Sequence, residues 1–228
     1  MKRFSPGWHM SIFTLLFMPL LLALGNWQVE RGAEKRDLEA KYLAQLAALP
    51  AQPTPSALAT SFKTIRLSGR YEPDYFLLDN QISNGQVGYW VIHVFNDELR
   101  GRFLLNRGFV AGSANRDTAP VVALPQGRLS PVATVWPDLG LIPILDDAPW
   151  NDGWPKQVQR LEIDRMAKVT SAYPAELRLE AGQPGVLAAA PFAQVFSDAK
   201  HKGYALTWFG LSITLMFGFV FYGFKRTE

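Results

Sequence analysis

Three histidines, His9, His93 and His201, are the side chains of this sequence best suited to acid–base or metal chemistry near neutral pH. His201 lies in AKHKGYALTWFG, where charged sequence gives way to an apolar run. A neutral imidazole can bind haem iron, and nearby tyrosine, tryptophan and basic side chains can cover a porphyrin and meet its propionates. A polar residue at a helix end near a membrane is more often simply interfacial. The residues alone therefore leave haem ligation at His201 as the minority interpretation.

The other two histidines are weaker candidates for a site. His93 falls in the strand-like run VGYWVIHVF, where a histidine with satisfied hydrogen bonds is the better interpretation. His9 lies at the far end of the first apolar segment, so we expect it to be on the opposite membrane face from His201. Ser113, in AGSAN, lacks the nucleophile-elbow pattern, and neither a glycine-rich phosphate loop nor a helical histidine pair occurs. We expect no enzymatic activity.

A group of aspartates around LDDAPWNDGW is the remaining candidate for a metal site. Its members are Asp138, Asp146, Asp147 and Asp152. Their spacing matches no calcium-binding loop, so a solvated acidic loop is the better interpretation.

Composition excludes several classes of protein. The 23 Lys and Arg are scattered against 20 Asp and Glu, which argues against a nucleic-acid partner. The absence of cysteine excludes disulfides, cysteine-bound zinc, iron–sulfur clusters and covalent c-type haem. The 228 residues suffice for one domain of about 170 residues and two apolar end segments.

The first apolar segment, residues 8–27, has no charge, and as a helix it spans about 30 Å, the thickness of a bilayer core. The short tail MKR and the small residues Ala23 and Gly25 also fit a cleaved signal peptide. Helical sequence continues through that position, so we expect the segment to be retained. The alternative is a singly anchored protein after cleavage.

The second uncharged segment, residues 204–224, is followed at once by Lys225 and Arg226. Because long loops cross the membrane largely regardless of charge, we expect both tails in the cytoplasm. The short N-terminal tail lacks an Arg- and Ser-rich presequence, which favours the bacterial inner membrane over a mitochondrial one. The predicted organisation is a cytoplasmic tail at 1–8, a span at 9–27, a periplasmic β-rich domain at 28–200 with a helical extension at 28–49, a span at 201–224, and a tail at 225–228.

Helical periodicity divides the second span into two faces. Small residues at Gly210, Thr214 and Gly218 predict the face that packs on the first span. The opposite face is predicted to be free, and its residues are His201, Tyr204, Ala205, Trp208 and Ser212. Trp208 is expected about 10 Å deeper in the membrane than His201.

The segment between the spans has short β-type runs separated by turn residues, including FKTIRLSGRY, YFLLDNQ, VGYWVIHVF and GRFLLNRGFV. NDELRG predicts a hairpin turn, and DRMAKV predicts a short helix. Runs spaced by about 10 to 14 residues favour an antiparallel barrel or sandwich. The fold class is therefore α+β, with two transmembrane helices flanking this domain.

Several motifs, in order and at the right intervals, resemble the surfeit-locus-one family. They are LGNWQVERGAEK at the exit of the first span, LLDNQISNGQVGYWVI with FLLNRGFV in the centre, and WPKQVQRLEIDRMAKV, YPAELRLEAGQPG and KHKGYALTWFGLSITL in the last part. The resemblance covers most of the chain.

This resemblance implies an assembly factor for haem–copper cytochrome c oxidase, with no catalytic turnover, that helps to deliver or insert haem a into subunit I. It implies His201 as the axial ligand of the haem iron, and the haem-binding residues expected around it are Tyr204, Trp208, Trp27 and Arg31. The expected partners are subunit I, the haem a synthesis machinery and the lipid bilayer, and homo-oligomerisation stays open. Two alternatives also remain, a non-haem scaffold for assembly intermediates and an envelope hydrolase that uses His93.

Overall fold

A computed structural model of the chain describes residues 4–112, 119–138, 149–188 and 196–225. The chain divides into two compact units. The first combines the two ends, Met1–Ala40 and Phe192–Glu228, and the second is Lys41–Pro191.

Two long helices form the first unit. Helix α1 is Trp8–Leu46, and helix α4 is Ala199–Lys225. Both are long and apolar enough to cross a membrane, as judged by length and composition. Helix α1 continues well beyond its apolar part, as the sequence predicts, and ends before the prolines that begin at Pro50.

The two helices pack antiparallel along a narrow seam. Less exposed residues recur at alternating intervals of three and four on each helix, the spacing of helices that cross at a small angle. Gly25 contacts Phe209, and Gly32 contacts His201, so higher numbers on α1 meet lower numbers on α4. The seam residues are Ser11, Thr14, Met18, Leu21, Gly25, Gln28 and Gly32 of α1, and His201, Ala205, Trp208, Ser212, Leu215 and Phe219 of α4.

The packing face predicted for the second span is wrong. Gly210, Thr214 and Gly218 are exposed, and the space beside both glycines is open. Ala205 and Ser212, predicted to be free, are buried at 6% and 4% exposure. The physical reason is that the partner helix selects the face: glycines of α1 meet a face of α4 whose small residues are Ala205 and Ser212.

Gly25 shows how this close approach works. A Cβ atom added there would lie 2.6 Å from Cε1 of the Phe209 ring, which is inside van der Waals contact. Large side chains of α4 therefore fit over glycines of α1. At the opposite end of the pair, the Phe4 ring packs edge-on against Phe219 and Phe224, and the backbone N–H of Ser5 donates to the carbonyl of Gly223 at 2.9 Å.

A seven-stranded sheet forms the second unit, in the order β1-β5-β7-β4-β3-β2-β6. Its strands are β1 Thr64–Arg66, β2 Gly69–Ser83, β3 Gln86–Asp97, β4 Gly101–Ala111, β5 Val132–Trp136, β6 Lys156–Val158 and β7 Ala172–Leu179. Two short helices accompany it, α2 at Pro55–Leu58 and α3 at Ile163–Thr170.

The sheet is mixed and open. Strands β2, β3 and β4 form an antiparallel meander, and β5 is antiparallel to β1 and β7. Strand β6 is parallel to β2, and β7 is parallel to β4. Within the described parts of the chain β1 and β6 are the two edges, so the sheet does not close into a barrel. The antiparallel prediction thus holds for the meander and for the pairs of β5, and it is wrong for these two parallel pairs. Helix α3 is the crossover that joins β6 to β7, so these two strands run in the same direction.

Both faces of the central strands are covered, because side chains alternate between the faces along each strand. On one face Phe95 and Leu105 pack with Leu177. On the other, Ile92 packs with Met166 of α3.

The predicted hairpin and short helix are confirmed. Asp97 closes the β3–β4 turn, where its Oδ1 accepts from the backbone N–H groups of Leu99 and Arg100 at 3.1 Å each. Gly101 follows with φ of +85°, in the region that favours glycine. Helix α3 contains DRMAKV and has Asp164 in its first turn.

We predict that Gly25→Ala destabilises the helix pair, because the added methyl group must displace the Phe209 ring. Overpacking of this kind costs about 1–3 kcal/mol. Thermal unfolding of the full chain in detergent should show a lower midpoint for this variant.

Gly32→Ala and Gly210→Ala are the matched controls. A Cβ on Gly32 would meet Cβ of His201 at 3.6 Å, an ordinary contact, and nothing lies within 4 Å of one on Gly210. Both should keep the original midpoint, and a loss at Gly210 equal to that at Gly25 would contradict this packing.

Candidate functional site

His201 and Gln28 form a hydrogen bond across the helix seam. Nδ1 of His201, in the first turn of α4, lies 2.8 Å from Oε1 of Gln28 on α1. Gln28 and Gly32 lie one turn apart on α1, and Gly32 faces the Cβ atom of His201. His201 is half-buried as a result.

An ion cluster holds the start of α4 beside this histidine. Asp198, three residues before His201, accepts from Nη1 of Arg36 at 2.7 Å and from Nζ of Lys202 at 2.9 Å. Hydrogen bonds from Lys202 and then Arg36 keep the pKa of Asp198 below its usual range. Lys202 and Arg36 are therefore already engaged by a carboxylate.

The predicted haem-binding aromatics are divided between the seam and one of its flanks. Trp208 is half-buried in the seam, and its Nε1 is a buried donor for which the described residues provide no acceptor. Tyr204 and Trp27 are 57% and 51% exposed. Arg31 is exposed and donates from Nη1 to Oε2 of Glu34 at 2.6 Å.

Helical geometry relates these exposed residues to each other. At about 100° per residue, Tyr204 of α4 and both Trp27 and Arg31 of α1 lie on the same side of the seam. Arg36 and Phe209, which contact the partner helix, lie on the other side. The structure thus brings His201 and Trp208 into one seam, with the three remaining predicted residues along one open flank.

Two residues of this site were missed from the sequence. Gln28 and Asp198 contact His201 or the turn before it, but the sequence assigns them no role. The available signal for Gln28 is its position between Gly25 and Gly32 at intervals of three and four, which places a polar side chain on the packing stripe.

His93 belongs to a separate buried cluster in the sheet unit. Its Nε2 lies 2.7 Å from the carbonyl of Glu72, and Nη1 of Arg107 lies 2.8 Å from its Nδ1. Arg107 also donates to the carbonyls of Gly185 and Ala123. Burial, aided by the Arg107 charge, lowers the pKa of His93 to about 4. The prediction of a satisfied strand histidine is confirmed, and neither ring nitrogen is left for catalysis.

Asn106, in the FLLNRGFV motif of β4, also has a structural partner. Nδ2 of Asn106 donates to Glu176 at 2.8 Å, and Glu176 pairs with Arg178 at 2.7 Å. The Arg178 guanidinium lies between the rings of Trp136, at 4.0 Å, and Trp90, at 4.7 Å. These contacts join β3, β4, β5 and β7 into one polar layer.

The acidic candidate gains no support as a metal site. In the ranges that the structure describes, no group of three or more histidine or carboxylate side chains is arranged to hold a metal ion. Asp138 and Asp152 lie in these ranges, whereas Asp146, Asp147 and Ser113 lie outside the described residues.

Two terminal helices of membrane-crossing length, with a β-rich unit between them in sequence, indicate a membrane protein. The profile of the SURF1 family matches residues 15–213, which include most of α1, the whole sheet and the first part of α4. The chain belongs to the SURF1 family, as its motifs predict, and this family is linked to cytochrome oxidase assembly. A comparison with curated proteins returns no match.

We predict that acid destabilises the sheet unit through His93. Its folded-state pKa is about 4 against an ordinary value of 6.5, so between these values the unfolded chain binds more protons. This difference in pKa does not lower the free energy of unfolding above pH 6.5. As the pH falls from 6.5 towards 4, the free energy of unfolding decreases by up to about 1.4 kcal/mol per pH unit. Urea unfolding of the full chain in detergent, followed by tryptophan fluorescence, measures it.

His93→Gln provides the comparison, because glutamine is polar but does not titrate in this window. The variant should be less stable at pH 7 and should lose less free energy of unfolding than the original between pH 6.5 and 4. Equal slopes for the two proteins would refute this role.

Proposed function

We propose that this chain assists the delivery or insertion of haem a into subunit I of cytochrome c oxidase, with His201 as an axial ligand and without turnover of its own. One observation supports the ligand assignment. Nδ1 of His201 is bound by Gln28, and no described residue is a partner for Nε2. A neutral imidazole with one free nitrogen is the common protein ligand of haem iron.

The residues around His201 fit a porphyrin as cargo. The open flank offers the exposed rings of Tyr204 and Trp27 as apolar surface. Arg31 and Lys200 lie on this flank by helical phase, and their charges suit the two propionates. Lys202, which is bound to Asp198, is the weaker candidate for that role.

The site is suited to holding a cargo rather than transforming it. Haem a supplies the iron and the ring, and the protein offers one ligating nitrogen together with a partly open aromatic surface. A carrier must release its cargo to the recipient, and an exposed flank permits contact with subunit I while the haem is held. The haem a synthesis machinery is the corresponding donor.

We place the protein in the bacterial inner membrane, with α1 and α4 as the spans, both tails in the cytoplasm and the sheet unit in the periplasm. The length and apolar character of α1 and α4 support the two spans. In it, His201 lies at the periplasmic edge of the bilayer, where a haem could be passed from one membrane protein to another.

We predict that His201→Ala loses bound haem while the fold persists. The chain is produced together with a haem a pathway and purified, and its absorbance spectrum is compared with that of the variant. His9→Ala is the matched control, because position 9 lies about 28 Å along α1 from Gln28, the partner of His201. It should keep its haem.

The same variant, studied in cells, distinguishes a haem carrier from a non-haem scaffold. Oxidase yield in cells should fall with His201→Ala. Equal haem in the two purified proteins would refute the ligand, and a normal oxidase yield from the haem-free variant would favour the scaffold.

We predict that the sheet unit is accessible from the periplasm. The chain has no cysteine, so a single introduced thiol gives an unambiguous label. In spheroplasts, a membrane-impermeant maleimide should label Leu99→Cys, because Leu99, in the β3–β4 turn, is 85% exposed. Ser5→Cys should react only after permeabilisation, and the reverse pattern would refute the orientation.

A further inference from the structure

The bond between His201 and Gln28 determines more than the position of a side chain, because the two ring nitrogens of a neutral histidine are not equivalent. One nitrogen bears the proton, and the other has the lone pair that can bind a metal. In water the proton is free to occupy either nitrogen, so an unconstrained histidine presents a mixture of two tautomers.

The partner atom selects between these tautomers. The atom 2.8 Å from Nδ1 is Oε1 of Gln28, a carbonyl oxygen that can only accept. Nδ1 must therefore donate its N–H, and this leaves the lone pair on Nε2. In many proteins an acceptor bonded to the other ring nitrogen fixes a metal-binding histidine in the same way and raises the basicity of the ligating nitrogen.

The surroundings of the pair leave the ring little other freedom. Gly32 lies against the Cβ atom of His201, and Asp198, bound by Arg36 and Lys202, holds the backbone one turn earlier. With the backbone fixed on both sides, the remaining variables are the ring torsion and the tautomer. A hydrogen bond to Gln28 sets both.

Helix packing alone explains a glutamine at position 28 less well than its hydrogen bond to His201 does. The adjacent stripe positions, Gly25 and Gly32, are glycines whose backbone is covered directly by α4. A long amide side chain between them, beside an apolar run, is costly to bury without a partner. In the described residues, the hydrogen bond of its amide group is the one to His201.

The geometry points to Gln28 as a positioning residue that holds His201 as the Nδ1–H tautomer and so presents an unprotonated Nε2 to a metal centre. This inference rests on the proposed function for the identity of the metal centre, haem iron. The tautomer itself is a property of the protein without haem, and it is measured separately.

The first measurement uses the haem-free chain, with ¹⁵N-labelled histidine, in detergent at pH 8. The ring signals of His201 are those lost in His201→Ala. They should report a protonated Nδ1 and a bare Nε2, and Gln28→Leu, which removes the acceptor at similar volume, should move the population towards Nε2–H.

Two variants separate the hydrogen bond from packing. Gln28→Glu keeps an acceptor oxygen and should retain the Nδ1–H signals. Leu24→Ala, one turn away on α1 and half-buried, removes packing without touching the bond and should also retain them. An Nε2–H tautomer in the unaltered chain, or unchanged signals in Gln28→Leu, would overturn the inference.

The second measurement titrates the same proteins with ferric haem and follows the Soret absorbance. Loss of the hydrogen-bond partner of a ligating histidine typically weakens metal binding about 10- to 100-fold, and we expect this loss for Gln28→Leu, with recovery in Gln28→Glu. Equal affinity despite a changed tautomer would overturn the positioning role.

The two proposals fail in different ways. If the unaltered chain binds no ferric haem, the proposed function fails, and the NMR spectra still decide whether Gln28 sets the tautomer. If the chain binds haem through His201 but the Gln28 variants are unchanged in both measurements, the function stands and this inference fails.

Discussion

The seam between the two terminal helices contains polar side chains, and their need for hydrogen-bond partners is a constraint that purely apolar helices do not have. Between apolar helices an unpaired polar group is costly, so a hydrogen bond from one helix to the other favours one relative position of the pair. His201 and Gln28 meet this requirement for each other. Gly25 makes a second contact with Phe209, which lies about two turns from His201 along α4, since the Phe209 ring fits only where a Cβ is missing. Together these contacts specify one register of the two helices.

The parts of the fold that follow from local signals could be predicted from the sequence. Apolar length identifies α1 and α4, and turn chemistry at Asp97 and Gly101 identifies the central hairpin. Strand β7 was missed because Pro174 interrupts its pattern and no turn signal marks its start. The parallel pair β4–β7 was missed because pairing is a long-range choice that periodicity within a strand does not encode.

The candidate site divides in a similar way. His201 could be found from its residue type and its position at the edge of an apolar run, and the family resemblance made the choice specific. The packing face of α4 could not be predicted from the sequence, because small residues on α4 and on α1 are equally good signals when each helix is considered alone. The partner helix decides between Gly210 and Gly25, and only the paired structure shows that α1 supplies the glycines. The role of Gln28 depends on that same pairing.

His93 and His201 differ in how many of their ring nitrogens have a partner among the described residues. Both make hydrogen bonds, but of the two only His201 lies in a motif of the family resemblance. In the sheet unit, Arg107 and a backbone carbonyl occupy both nitrogens of His93, and burial keeps that ring neutral. In the helix seam, one acceptor occupies one nitrogen of His201. The number of partners, more than burial or residue type, therefore distinguishes a histidine that stabilises a core from one that retains a lone pair for a ligand.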